Sequence, residues 1–293
     1  MMSEGVEAIK EACKLLKPFR ARSAVRPVFN YIALMKDVAY GFYNDNAVAR
    51  LDINFNPRIK DKPCIIDPVK MEPLKEELRI PDVEVLIEPI KKDADNPEKY
   101  IRLHLSGEEL NRWKEAFAYF RKDPNRTTIH WAPVLLILKG ISSYFFSCWL
   151  YEPVYMRLGT IDCKTKLPES GYMIFLNSDI MSKTMDLLSR MKLNDCELIL
   201  PVNNFKPVLV QARDATVLVA NVRFSVLTDE VISIINLVDQ ILGLDVKDYI
   251  KHMGTAEQDK AEPEPIPEQE PEAKDLDDKP QDGGGEEDWS FLE

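Results

Sequence analysis

Apolar residues recur along this chain with two periods, one helical and one of alternation. Between Ser3 and Lys17, Ile9, Cys13 and Leu16 fall on one helical face, while Lys10, Lys14 and Lys17 fall at i, i+4 and i+7 on another. Gly107–Lys122 repeats the design, with Leu110, Trp113, Phe117 and Phe120 forming an apolar stripe. A third helix begins at Ser178 and buries Met181, Met185 and Leu188. A fourth follows Thr228, a capping residue, with Val231, Ile234, Ile235, Val238, Ile241 and Leu242 at helical spacing. Two stretches predict similar strands: DVEVLIEP, from Asp82 to Pro89, and DCELILPV, from Asp195 to Val202. Each sets an acidic residue ahead of an apolar run.

The resemblance between those two stretches is one of a series. Pro27–Val28 corresponds to Pro133–Val134, Tyr40–Phe42 to Tyr144–Phe146, and Ala49–Leu51 to Met156–Leu158. Cys64–Leu78 corresponds to Met173–Leu188, which predicts two short strands followed by helices starting at Asp67 and Ser178. A series of matches in the same order implies an internal duplication. Each copy reads as an α+β unit, an antiparallel sheet with two helices on one face, its turns marked by Asn, Asp, Gly and Pro. The expected organisation is a first unit over residues 1–92, a charged connector over 93–98 and a second unit over 99–226. A C-terminal amphipathic helix over 227–253 and a tail over 254–293 complete the chain.

Charge changes this picture only once it is divided along the chain. The net charge is −11, yet the segment from Gly254 onward holds 15 acidic residues and three lysines, so the body is nearly neutral. Rich in Glu, Asp, Pro and Gly, that tail is expected to be disordered, because it cannot bury enough apolar surface to offset its ordering entropy. Three of the four helices of the duplicated body place bases away from their apolar stripes. The candidates for contact with phosphates are Lys10, Lys14, Lys17, Arg20 and Arg22 around the first helix, and Arg112, Lys114, Arg121 and Lys122 on the second. Lys183, Arg190 and Lys192 belong to the helix from Ser178, and Lys70 and Lys75 to the one expected from Asp67, where Glu72, Glu76 and Glu77 dilute them. Taken singly, each is an ordinary solvated face. Added on one side of a duplicated sheet, they form a surface suited to sequence-independent contact with duplex phosphates.

Little in the sequence points to catalysis or a cofactor. The five cysteines (Cys13, Cys64, Cys148, Cys163 and Cys196) form no CxxC pair, and their odd number fits a reducing cytoplasm better than a disulfide framework. His104, His130 and His252 have no metal-ligand spacing, and His130 lies in an apolar stretch as a core residue would. GxGxxG, P-loop and GxSxG patterns are absent, so neither an enzyme nor a nucleotide site is expected. No run is long and apolar enough for a membrane helix.

The duplicated pattern resembles the DNA polymerase sliding clamp family. The residues that carry the likeness are RPVFNYIALMKDVAYGFYNDNAVARLDI, KPCIIDPVKMEPLKEEL, YIRLHLSGEELNRWKEAF and FKPVLVQARDATVLVANVRF, within Gly5–Phe224. Clamps with three such domains per chain close as dimers, and those with two close as trimers. The resemblance therefore implies a homotrimeric ring, sheets outside and basic helices around double-stranded DNA, serving a DNA polymerase and needing a clamp loader. It also implies a partner pocket near the connector and last strands, with Val219, Val222 and Phe224 as candidates. Two features depart from it: only MMSEG precedes the first helix, where clamp domains begin with a strand, and the last helix and tail are additions, which suggests a specialised, viral protein.

The tail supports a different reading. Its tip, DWSFLE, carries Trp289, Phe291 and Leu292, a candidate linear motif for partner recruitment. Acidic tails with apolar tips are similar to those of single-stranded-DNA-binding proteins. Under that alternative Tyr40, Tyr43, Tyr144 and Phe146 are stacking platforms rather than strand core. A scaffolding protein without a nucleic-acid role is the third possibility.

Overall fold

Three copies of one local pattern, a helix leading into three antiparallel strands, account for most of the structure. The computed structural model describes residues 2–21, 26–35, 37–43, 46–53, 64–74, 78–121, 133–149, 152–169, 171–203, 206–222, 229–244 and 246. The first copy is α1 (Met2–Leu16), β1 (Ile32–Met35), β2 (Val38–Tyr43) and β3 (Ala47–Asp52). After it come β4 (Cys64–Asp67), the two-residue β5 (Glu72–Pro73) and α2 (Glu84–Asp93). The second copy is β6 (Tyr100–Ser106), α3 (Gly107–Arg121), β7 (Pro133–Lys139), β8 (Ser142–Trp149) and β9 (Glu152–Thr160), trailed by β10 (Asp162–Cys163). The third is β11 (Tyr172–Asn177), α4 (Ser178–Arg190), β12 (Asp195–Pro201), β13 (Val208–Gln211) and β14 (Ala215–Val219). Last comes α5 (Asp229–Leu242).

The second and third copies exchange their first strands. β6 pairs with β12, and β11 pairs with β7, so the two units are locked into one domain. β4 pairs with β1 just as β11 pairs with β7. β3 then pairs with β14, fusing both halves into a ten-stranded sheet ordered β10-β6-β12-β13-β14-β3-β2-β1-β4-β5. A second sheet runs β11-β7-β8-β9. Antiparallel sheets with helices on their faces, the α+β architecture expected from the sequence, are what the chain forms.

Alternation along the strands gives each sheet two apolar faces. On one face Ile32, Leu34, Leu103, Val134, Leu136, Phe145, Leu198 and Val217 meet α1, α3 and α4 in a single core. Trp113 and Phe117 stack around Phe145, with ring centroids 5.0 and 4.7 Å away. Small residues let α1 approach: a Cβ on Gly41 would stand 3.1 Å from the Phe19 Cβ and 3.3 Å from the Leu16 carbonyl. On the opposite face α2 seats Val83, Ile87 and Ile90 against Ala33, Tyr40, Phe42 and Leu218. There α5 seats Val231, Ile234, Ile235 and Val238 against Leu135, Ile137, Phe146 and Phe175.

Two sequence expectations fail in the first half. DVEVLIEP is not a strand but most of α2. Val83, Ile87 and Ile90 recur at helical spacing and are buried, while Val85 and Leu86 are exposed. No helix starts at Asp67 either: its Oδ1 accepts the Val69 and Lys70 N–H groups, and Met71 takes φ 59°, closing a turn into β5. The stretch Pro68–Lys99 must also supply α2 and the return to β6. It is shorter than Ser178–Val219, which builds the helix and three strands of the third copy. The first half therefore has one helix on the three-helix face and α2 on the other, where two helices on one face were expected of each unit. The tail lies outside the described residues.

A polar latch holds the start of α2. Tyr40 Oη donates to Glu84 Oε1 at 2.7 Å, and Arg50 Nε donates to the same oxygen at 2.8 Å. Partial burial pushes the Glu84 carboxyl up, but the bonds from Tyr40 and Arg50 outweigh it and leave its pKa below the usual glutamate value. A carboxyl depressed in the folded state stabilises above its unfolded pKa and loses that contribution as pH falls. Glu84→Gln should therefore lower the urea midpoint at pH 7 and narrow its difference from wild type at pH 3. Phe145→Ala should cost about 3–5 kcal/mol by urea unfolding, since the ring is fully buried among aromatics.

Candidate nucleic-acid interface

The three helices that share a face lie side by side, α4 between α1 and α3. α3 and α4 are antiparallel: Arg121, ending α3, bonds Asp179 at the start of α4, and Gly107, starting α3, donates to the Asn194 carbonyl beyond α4. Asn177 caps α4 by accepting the N–H groups of Asp179 and Ile180. Arg190 Nη2 reaches the Lys14 carbonyl at 3.4 Å, which brings the C-terminal ends of α1 and α4 together. Leu15, Pro18, Lys114, Arg121, Lys183, Asp186, Leu187, Ser189 and Arg190 line a groove of about 290 Å³ between the helices.

Charge on this face is ordered, not uniformly basic. Glu108 and Glu109 open α3 and Asp179 opens α4, whereas Lys14, Arg121 and Arg190 sit in last turns. That arrangement complements each helix dipole. Several expected phosphate contacts are already engaged. Asp179 binds Lys183 Nζ at 2.5 Å and Arg121 Nε at 2.9 Å and accepts from Tyr43 Oη at 3.1 Å. Lys183 lies 3.7 Å over the Tyr43 ring, with its side chain 15% exposed, so it is a joint between the first and third copies. Lys114 donates to Ser189 Oγ at 2.9 Å and lies 3.8 Å from Asp186. Arg112 donates to the Leu158 carbonyl and to Glu108.

Lys14, Lys17 and Lys192 are exposed and have no ion-pair partner among the described residues, and Arg20 is half-buried. Lys192 takes φ 57° at the end of α4, a left-handed position where glycine is common. Lys10 is half-buried on α1, and Arg190 is exposed beside Lys14. Lys70 is exposed in the turn after β4 and lies on no helix. Arg22, Lys75 and Lys122 lie outside the described residues.

The expected partner pocket is not an open surface. Val219 is fully buried in the three-helix core and Val222 is covered by α5. Phe224, Trp289, Phe291 and Leu292 lie outside the described residues. Stacking platforms fare no better: Tyr40 and Phe146 are buried, and Tyr43 and Tyr144 each have a ring face beneath Lys183 or Arg157. Burial pushes the thiols of Cys13 and Cys196 up to about 12, so both stay protonated at neutral pH. Among the described residues no group of His, Cys, Asp or Glu is placed to hold a metal ion, and no helix is long and apolar enough to cross a membrane.

The arrangement of strands and helices has close counterparts among solved structures. A DNA polymerase III beta subunit from Eubacterium rectale superposes with a TM-score of 0.58 over 75% of this chain and 64% of that one, at 8% identity. The fold is that of a sliding clamp. The DNA polymerase III beta subunit of Pseudomonas aeruginosa and the DNA polymerase sliding clamp of Bacillus subtilis, each 10% identical, give the same TM-score over 75% of this chain and cover 65% and 63% of theirs. The chain thus spans a little under two thirds of the length of these clamps. No protein-family profile and no curated protein matches the sequence. The likeness lies in how alternating strands bury both sheet faces, which many sequences can satisfy.

Asp179 is the residue that sequence reasoning missed on this face. Its signal was the Asp179–Lys183 spacing of i, i+4, but its bonds to Arg121 and Tyr43 come from elsewhere in the fold. Asp179→Ala should cost about 1–3 kcal/mol in urea unfolding, because it leaves two cations and a phenol without their common acceptor.

Proposed function

We propose that this chain is a sliding clamp, a processivity factor that holds duplex DNA against the α1, α3 and α4 face and tethers a DNA polymerase to it. The observation that carries this reading is the repeated helix-and-three-strand unit, assembled with the strand exchange and common helix face described above. The charge pattern suits the task. Arg112, Lys114, Arg121 and Lys183 are held by Glu108, Asp186 or Asp179, leaving a set around Lys14, Lys17, Arg190 and Lys192 for phosphates. A few exposed cations give weak, salt-sensitive, sequence-independent contact, which permits movement along DNA. Processivity then comes from linkage to the duplex rather than from tight binding. The chain acts as a tether and not as a catalyst, and an ATP-driven loader is needed where the assembly closes around DNA. This face offers little for stacking single strands: Trp113, Phe117 and Phe120 are buried, and Tyr119 is the one exposed aromatic among the described residues of α1, α3 and α4.

Binding to a fluorescent duplex across a salt series tests the proposal. The expected result is sequence-independent binding, with log K falling against log salt at a slope of about −3, as roughly three or four phosphate contacts require. Lys14→Glu, Lys17→Glu, Arg190→Glu and Lys192→Glu together should remove that binding and shorten the products of a processive polymerase. Lys183→Gln should leave the slope unchanged. Preference for single strands, or duplex binding unaffected by the fourfold variant, would overturn the assignment.

A further inference from the structure

The groove among α1, α3 and α4 is more than a patch of bases. Leu15, Leu187 and the half-buried Pro18 give it an apolar floor. Lys114, Arg121, Lys183 and Arg190 stand around that floor, and Asp186 is the one acid among the lining residues. Duplex phosphates use the bases but gain nothing from the floor. An apolar centre with a cationic rim fits an aromatic side chain flanked by carboxylates. With a volume of about 290 Å³, the groove has room for such a side chain. The chain itself carries a matching segment. Trp289, Phe291 and Leu292 stand between Glu286, Glu287 and Asp288 on one side and Glu293 on the other, at the end of a stretch with 15 acidic residues and three lysines.

We propose that the DWSFLE segment of the same chain seats in this groove, its apolar side chains on Leu15, Pro18 and Leu187 and its carboxylates against the rim bases. The consequence rests on the reading of the three-helix face as the DNA surface. Lys14 and Lys17 adjoin Leu15 and Pro18 in the chain, and Arg190 belongs to the rim. A seated tip therefore covers three of the bases left for phosphates, and tip and duplex compete for one face. Reach permits this. Trp289 follows Val246, the last described residue, by roughly 40 positions, a length of chain that extends to about 130 Å. α5 packs on the opposite side of the sheet from the groove, so a sheet and a helix layer separate them, each about 10 Å deep. A tip tethered in this way meets the groove at an effective concentration on the order of millimolar, so a contact that is weak between separate molecules is occupied within one chain. The ion pairs at the rim make the closure salt-sensitive, and the apolar floor makes it depend on the aromatics.

Ser189 lines the groove and is exposed, so a cysteine there leaves the core untouched. In the full chain carrying Ser189→Cys and Ser290→Cys, a short bismaleimide should join the two thiols within one chain. Either cysteine alone should give no such product. Adding Trp289→Ala, Phe291→Ala and Leu292→Ala should cut the yield about fivefold, since the anchoring side chains are gone. The same three alanines in a chain with its native serines should tighten duplex binding about tenfold at low salt, as release from a tethered competitor predicts. No joined product, a product joined between two chains, or a yield indifferent to the three alanines (the mark of a bare tether) would each overturn the docking. Duplex binding indifferent to the alanines would overturn the competition and leave the DNA reading standing. A chain that joins its thiols as expected yet binds no duplex would strike the DNA reading alone, because the cross-link is made without DNA.

Discussion

The ladder between β3 and β14 is the constraint on which the rest of the structure depends. Ala47–Leu51 run against Ala215–Val219, and this pairing turns two separate sheets into one. Small residues make the pairing useful. Ala39, Gly41, Ala47 and Ala49 leave room on one face for α1 to lie down beside α4, so three helices share that face. Larger side chains at those positions would lift α1 away and separate Lys14 from Arg190. Position on the sheet thus decides which bases meet.

The electrostatics of the face follow from helix direction. Acidic first turns and basic last turns suit the dipoles, and antiparallel packing of α3 on α4 sets the base of one against the acid of the other. The resulting ion pairs stabilise the fold where they are half-buried and screened from solvent less than surface pairs are. They also offset part of the positive charge that a summed count of lysines and arginines suggests. What is left is concentrated where α1 and α4 end.

Much of the fold was legible in the sequence, because long amphipathic helices announce themselves. The stripes Leu110–Trp113–Phe117–Phe120 and Met181–Met185–Leu188 fixed α3 and α4, and the matches Tyr40–Phe42 with Tyr144–Phe146 and Ala49–Leu51 with Met156–Leu158 are equivalent strand pairs in the structure. The match of DVEVLIEP to DCELILPV misled. A short apolar run satisfies either period, and only its surroundings decide: Cys196, Leu198 and Leu200 alternate inside a sheet, while Val83, Ile87 and Ile90 lie across one. Carrying the duplication through that match gave the first half a second helix on the shared face, where it has one. The phosphate contacts were half legible. Residue type gave the bases, but whether a base is exposed, as Lys14 is, or held, as Lys183 is, depends on contacts distant in sequence.

Lysine footprinting on the full chain, with and without a duplex at low salt, tests the central claim most directly. If the three-helix face carries the DNA, acetylation of Lys14, Lys17 and Lys192 will be suppressed by the duplex, while Lys70 on its turn and Lys164 beyond β10 react as before. Suppression at Lys70 and Lys164 with Lys14, Lys17 and Lys192 unchanged would place the nucleic acid elsewhere and contradict the account.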